Sequence, residues 1–148
     1  MVKREVSQDT IELLKECDAA CKMAVDSMEQ IGRYVTDDKM KSIIKKYNGE
    51  HMKIEEDIHR LLNKYGEEDK EPNPIAKASS WIQSEVKMMI HGDSKQAAYL
   101  LTDGCNMGVT SLNKYKNQYK AADSKSVDLC ERLCDLETSM TKELQPYL

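Results

Sequence analysis

Four stretches of this chain place apolar residues at alternating steps of three and four, the spacing that keeps one face of an α-helix turned toward a core. The first runs Leu14, Cys17, Cys21, Ala24, Met28, Ile31, Val35. The second runs Met40, Ile44, Tyr47, Ile54, Ile58, Leu61, Tyr65, with His51 in its middle. The third is Ala98, Leu101, Cys105, Gly108, Leu112, Tyr115, Tyr119. The fourth, Leu133, Met140, Leu144, is interrupted by Glu137. A helix with one apolar stripe must bury it against others, so four such stripes specify an all-α four-helix bundle. No strand-like alternation persists anywhere.

The breaks between seams are few, with three prolines and six glycines in 148 residues. They divide the chain, read as one domain over 1–148, into helices over about 8–35, 38–65, 74–91, 94–121 and 124–145. Ser7 or Asp9 can cap the first, and Asp9 with Glu12 fits a capping box. Thr36-Asp37-Asp38 turns it into the second, and Gly66 suits that helix's C-terminal end. The segment from Glu67 to Pro74 is a charged, proline-bearing linker. Asn73 and Pro74 then open a short crossover helix whose face is Ile75, Trp81 or Ile82, Val86 and Met89. Gly92 ends it, Asp93 caps the third long helix, and Ala122-Asp123-Ser124 turns that helix into the fourth. The expected architecture is two long antiparallel hairpins joined by the crossover helix.

Register across the two turns sets Ala24 opposite His51 and Gly108 opposite Glu137. A crossover that returns the chain to the other end makes the second and third long helices parallel, and these four residues then share one layer. Met28, Tyr47, Cys105 and Met140 fall in the layer above. Cys17, Ile58, Tyr115 and Cys130 fall in one toward the other end.

Composition bears mainly on partners. Charged residues make up 32% of the chain, the net charge is −4, and there is no Phe. The lysines at 39, 41, 45 and 46 and at 114, 116 and 120 alternate with core positions, as solvated helix faces do, so no nucleic-acid partner is expected. No apolar run approaches the roughly 20 residues of a membrane span, and the polar start MVKREVSQDT does not read as a signal peptide. The five cysteines include two pairs four apart, Cys17 with Cys21 and Cys130 with Cys134. Such helical pairs have Cβ atoms about 5–6 Å apart, whereas a disulfide needs roughly 3.8 Å. The expectation is a cytoplasmic protein with reduced thiols.

The long hairpin, crossover, long hairpin pattern resembles the ferritin-like superfamily over nearly the whole chain. More narrowly, GDSKQAAYLLTDGCNMGVTSLNKYKNQY, following NPIAKASSWIQSEVK, is similar to a bacterial ferritin-like branch to which no reaction is assigned. The resemblance implies the fold. It also implies where a di-iron site would lie, since the superfamily takes a Glu from each of two helices and a Glu-x-x-His from one or both of the others. At those positions this chain has Ala24, His51 with Ile54, Gly108, and Glu137 with Met140. A complete di-iron carboxylate centre is therefore not expected, nor is ferroxidase, peroxidase or oxygenase activity. The literal Glu56-x-x-His59 lies off the seam and reads as surface.

Four features remain as candidates. His51 and Glu137 read first as a buried hydrogen-bonded pair and second as a pair of metal ligands, too few by themselves for a closed site. Cys105, Met28 and Met140 beside His51 form a soft donor set suited to Cu(I) or Zn, though Met and free Cys are also ordinary core filler. Cys17, Cys21, Cys130 and Cys134, on diagonal helices, could bring four thiols together across the core to bind one metal or several Cu(I) ions, the alternative being inert buried thiols. Gly104 and Gly108 in mid-helix each cost about 1 kcal/mol against Ala, a cost offset by close helix packing or by a ligand against the backbone. Trp81 reads as cover for the bundle or as part of a dimer surface, and a homo-oligomer is expected. The leading expectation is binding or assembly without di-iron chemistry. A soft-metal binding or storage protein comes second, and an atypical redox enzyme third.

Overall fold

The computed structural model describes residues 6–67 and 82–148. They are helical, with no strand among them. Four long helices form the body: α1 (Gln8–Gly32), α2 (Asp38–Lys64), α3 (Ser94–Gln118) and α4 (Ser124–Leu144), closed by a 3-10 turn over Gln145–Tyr147. Each long helix starts on a side-chain cap that accepts a hydrogen bond from the third backbone N–H onward. The caps are Ser7, Asp37, Asp93 and Asp123, residues whose short oxygens satisfy the otherwise orphaned donors of a first turn. Ser7, not Asp9, caps α1; Asp9 instead accepts the Ala121 backbone N–H at 2.9 Å.

α1 was expected to reach Val35 but ends at Gly32. Two short turns follow, with Tyr34 and Val35 donating to the carbonyls of Ile31 and Gly32. They still deliver Val35 to the core, 4% exposed. α2 ends as a Schellman motif. Gly66, at φ +78°, donates to Asn63, and Glu67 donates back to Leu62. In its last turns α2 buries Leu62, not Leu61, because a straight 3.6-residue helix drifts from a 3.5-residue seam by about 20° per heptad. The crossover is helical over 82–86 and leaves the helix well before the expected end at 91. Ile82 and Met89 are buried and Val86 packs beside them. Asn73, Pro74, Ile75 and Trp81 lie outside the described residues.

The crossover's exit is tied to the α1–α2 turn. The Gly92 N–H donates to the Tyr34 carbonyl at 2.8 Å, and His91 lies against the Tyr34 ring. α3 thus starts at the end where α1 finishes, so α2 and α3 run parallel. α1 and α4 each pack against both α2 and α3 and meet one another across the diagonal.

Two apolar clusters fill the interior. One holds Met28, Ile31, Tyr47, Leu101, Cys105 and Met140. The other holds Leu14, Cys17, Ile58, Leu112, Cys130 and Leu133. Between them sits the polar level of the seams.

Candidate functional site

His51 and Glu137 lie at that boundary, 0% and 5% exposed. The Glu137 Oε1 is 2.6 Å from His51 Nε2, and His51 Nδ1 is 2.6 Å from the Tyr47 carbonyl oxygen. A carbonyl can only accept, so Nδ1 carries a hydrogen. In the neutral ring Nε2 is then a bare acceptor, which cannot face an ionised carboxylate across 2.6 Å. One proton must lie on the Nε2–Oε1 line, and the pair is neutral overall whether written as imidazolium and carboxylate or as imidazole and carboxylic acid. Burial alone would lower the His51 pKa. The hydrogen bond and charge of Glu137, with the Tyr47 carbonyl, more than reverse that and raise it.

Gly108 and Ala24 supply the room. A methyl group on Gly108 would stand 3.7 Å from the Glu137 carboxyl carbon, an ordinary contact. Ala24 lines the same space from α1. This space is a cavity of about 40 Å³ between α1 and α3, enough for a few water-sized groups at roughly 10–15 Å³ each. His51 and Glu137 form its floor. Cys105, Met28 and Met140 line its depth, and Met23 and Met107 stand nearer its mouth. Met107 is 47% exposed, so the cavity reaches the surface beside it. Gly104 also borders it, and a methyl group there would meet nothing within 4 Å. Helix packing therefore does not account for Gly104, which borders the cleft.

The sulfurs do not converge. Cys105 belongs to the cleft, where burial and the Glu137 carboxylate push its thiol pKa far up. Cys21 is fully buried in the second cluster, its pKa raised by burial and by Glu55, Asp18 and Glu137. Lower down, Cys130 lies against Cys17 across the α1–α4 diagonal and against Cys134 on its own helix. The Cys134 contact pulls Cys130 down, but its contact with Cys17 and its burial prevail and hold it at about 12. The Cys130 thiol also donates to the Leu112 carbonyl at 3.6 Å. Among the described residues no three cysteine sulfurs lie within 4.8 Å of one another. A metal with bonds of about 2.3 Å to sulfur would need its ligands closer than that.

One constellation was missed in the sequence. Asp18, Glu55 and His59 place ligand atoms within 4.8 Å of one another. The Asp18 Oδ1 is 2.6 Å from His59 Nε2, its Oδ2 is 3.0 Å from the Lys22 ammonium, and Glu55 lies 3.9 Å from His59. His59 is thus half-buried and paired, not a surface residue, while Glu56 is exposed as expected. The register that sets Ala24 opposite His51 also sets Asp18 between Glu55 and His59, so the signal was present but lay on the flanks of the seams. Asp18 is 3% exposed, and its two cationic or hydrogen-bonding partners account for that burial.

Compared with family models, with curated proteins and with solved structures, the chain finds no match in any of the three. No helix among the described residues is long and apolar enough to cross a membrane.

The iron pair that the ferritin-like resemblance implies does not fit these residues. Ala24, Ile54 and Gly108 offer no oxygen or nitrogen side-chain donor, and Glu137 is already bonded to His51. The layer can hold a proton between two groups, and it can present an imidazole, a carboxylate and several sulfurs to whatever enters the cleft.

Proposed function

We propose that this chain is a ferritin-like bundle that binds a small ligand in place of carrying di-iron chemistry, and that the ligand sits in the cleft between α1 and α3 above His51 and Glu137. The bundle's connectivity supports the superfamily reading: antiparallel hairpins, a crossover fastened at Tyr34 and Gly92, and parallel α2 and α3. The replacement of carboxylates by Ala24, Ile54 and Gly108 at the polar level supports the loss of iron.

The observation that carries the binding role is Gly104. A glycine inside α3 costs about 1 kcal/mol against alanine, and here no neighbouring helix requires it. What it preserves is access to a cavity with a buried polar floor, and small-molecule sites are typically apolar hollows with a few convergent polar groups.

The test compares the protein with Gly104→Leu, both purified anaerobically from their own cells and examined by native mass spectrometry and elemental analysis. The unaltered chain is expected to retain a low-mass adduct, with less than stoichiometric iron. Gly104→Leu should lose the adduct while keeping its helical circular dichroism and a melting temperature no lower than that of the unaltered chain. An adduct equally retained by the variant would reject the cleft, and two irons per chain would reject the loss of di-iron chemistry.

A further inference from the structure

We infer that the ligand class of this cleft is a soft monovalent cation, Cu(I) in the cell, held by His51 Nε2 and the thioethers of Met28 and Met140, with Glu137 as its buried counter-charge. This rests on the cleft being the binding place. Four of the chain's nine methionines line it, together with Cys105 and His51. Met is common core filler, yet here the four span the cleft from Met107, 47% exposed, through half-buried Met23 to the buried Met28 and Met140. Thioether and thiol donors favour Cu(I) over harder ions.

His51 is already oriented for the role. Its Nδ1–H is fixed on the Tyr47 carbonyl at 2.6 Å, the outer contact that sets Nε2 as the ligating nitrogen in metal-binding histidines. Thioethers need no deprotonation, so the site works without a buried thiolate. Cys105 lines the same wall, buried at 4% exposure, and the site does not call on it as a ligand. Charge selects within the soft ions. A cation entering between His51 and Glu137 displaces the proton they share, and a monovalent ion leaves the layer as neutral as before. A divalent ion would leave an uncompensated buried charge, which is costly. The exchange balances as one Cu(I) in and one proton out, with no change of oxidation state.

The test is an anaerobic Cu(I) titration against a chromogenic chelator, in weakly buffered solution so that protons are counted. One Cu(I) per chain and one proton released are expected, with Zn(II) failing to compete. The volume-conserving pair Met28→Leu with Met140→Leu should bind on the order of 100-fold or more weakly with unchanged circular dichroism. Cys17→Ser with Cys130→Ser and Cys134→Ser should bind as before. Cu(I) affinity lost with these cysteines and kept with the leucines would place the ion at the lower sulfurs and overturn the inference. No Cu(I) binding, beside an adduct that Gly104→Leu abolishes, would overturn the soft cation and leave the cleft reading standing.

Discussion

At the scale of single residues, the buried His51–Glu137 pair makes the protein's stability depend on protons. The His51 pKa is raised above its usual 6.5 in the fold. A group of this kind stabilises the folded state fully below its unfolded value, and the contribution is lost as pH rises through the folded value. Urea unfolding from pH 6 upward should therefore show the unaltered protein losing stability relative to His51→Gln as pH rises above 6.5. Parallel curves would show that the pair holds no linked proton. The two partners are also unequal to their sum. Glu137→Leu alone strands a buried, neutral imidazole without its partner and should cost about 1–3 kcal/mol, whereas adding His51→Leu should recover most of that loss. A double variant as unstable as the single one would mean that the layer is held by shape rather than by the pair.

At the scale of the helix, glycines sort themselves by backbone and by space. Gly49 in α2 and Gly104 in α3 have open space where a methyl group would stand, so alanine at either should stabilise by about 0.8–1 kcal/mol through helix propensity. Gly66 at φ +78° also has open space, but its left-handed backbone makes alanine unfavourable by about 1–2 kcal/mol. Chemical denaturation of the three variants should give two gains and one loss, and a loss at Gly104 would mean that the cleft wall has no room for a methyl group there. The same distinction explains what was legible in the sequence. The seams placed His51, Glu137, Gly108 and Ala24 together because period and turn position determine depth in a hairpin. Whether Gly104 faced a helix or a void was not legible, since both demand a small residue. Asp18, Glu55 and His59 were passed over because a seam records what is buried among apolar neighbours, and these three meet on the seam's shoulder. The ends of α1 and α3 fell short of expectation because capping and turn hydrogen bonds, not periodicity, decide where a helix stops.

At the scale of the molecule, the two hairpins are fastened at both ends, and this fixes the depth at which the four walls of the cleft meet. At one end Gly92 is bonded to Tyr34, and the Tyr147 hydroxyl donates to Asp37, the cap of α2, at 2.7 Å. At the other end Asp123 joins several elements. It caps α4 through the Ser126 N–H at 2.9 Å, accepts the Tyr65 hydroxyl from the end of α2 at 2.9 Å, and donates its own N–H to Thr10 of α1 at 2.8 Å. Ser7 donates to the Ala121 carbonyl beside it at 2.9 Å. Thr10 is 1% exposed, so Thr10→Val keeps the shape and removes the acceptor. The Asp123 N–H then loses its partner in a part-buried place, which should cost about 1–3 kcal/mol. Arg132 and Asp57 also bridge α4 and α2, at 3.2 Å, but their side chains are 54% and 36% exposed. Solvent screens that pair, and Arg132→Ala should cost less than about 1 kcal/mol. Measured side by side in urea, the threonine variant should lose clearly more stability than the arginine variant. The reverse order would mean that surface charge, not the buried joint at Asp123, holds the hairpins in the register that brings His51 to Glu137.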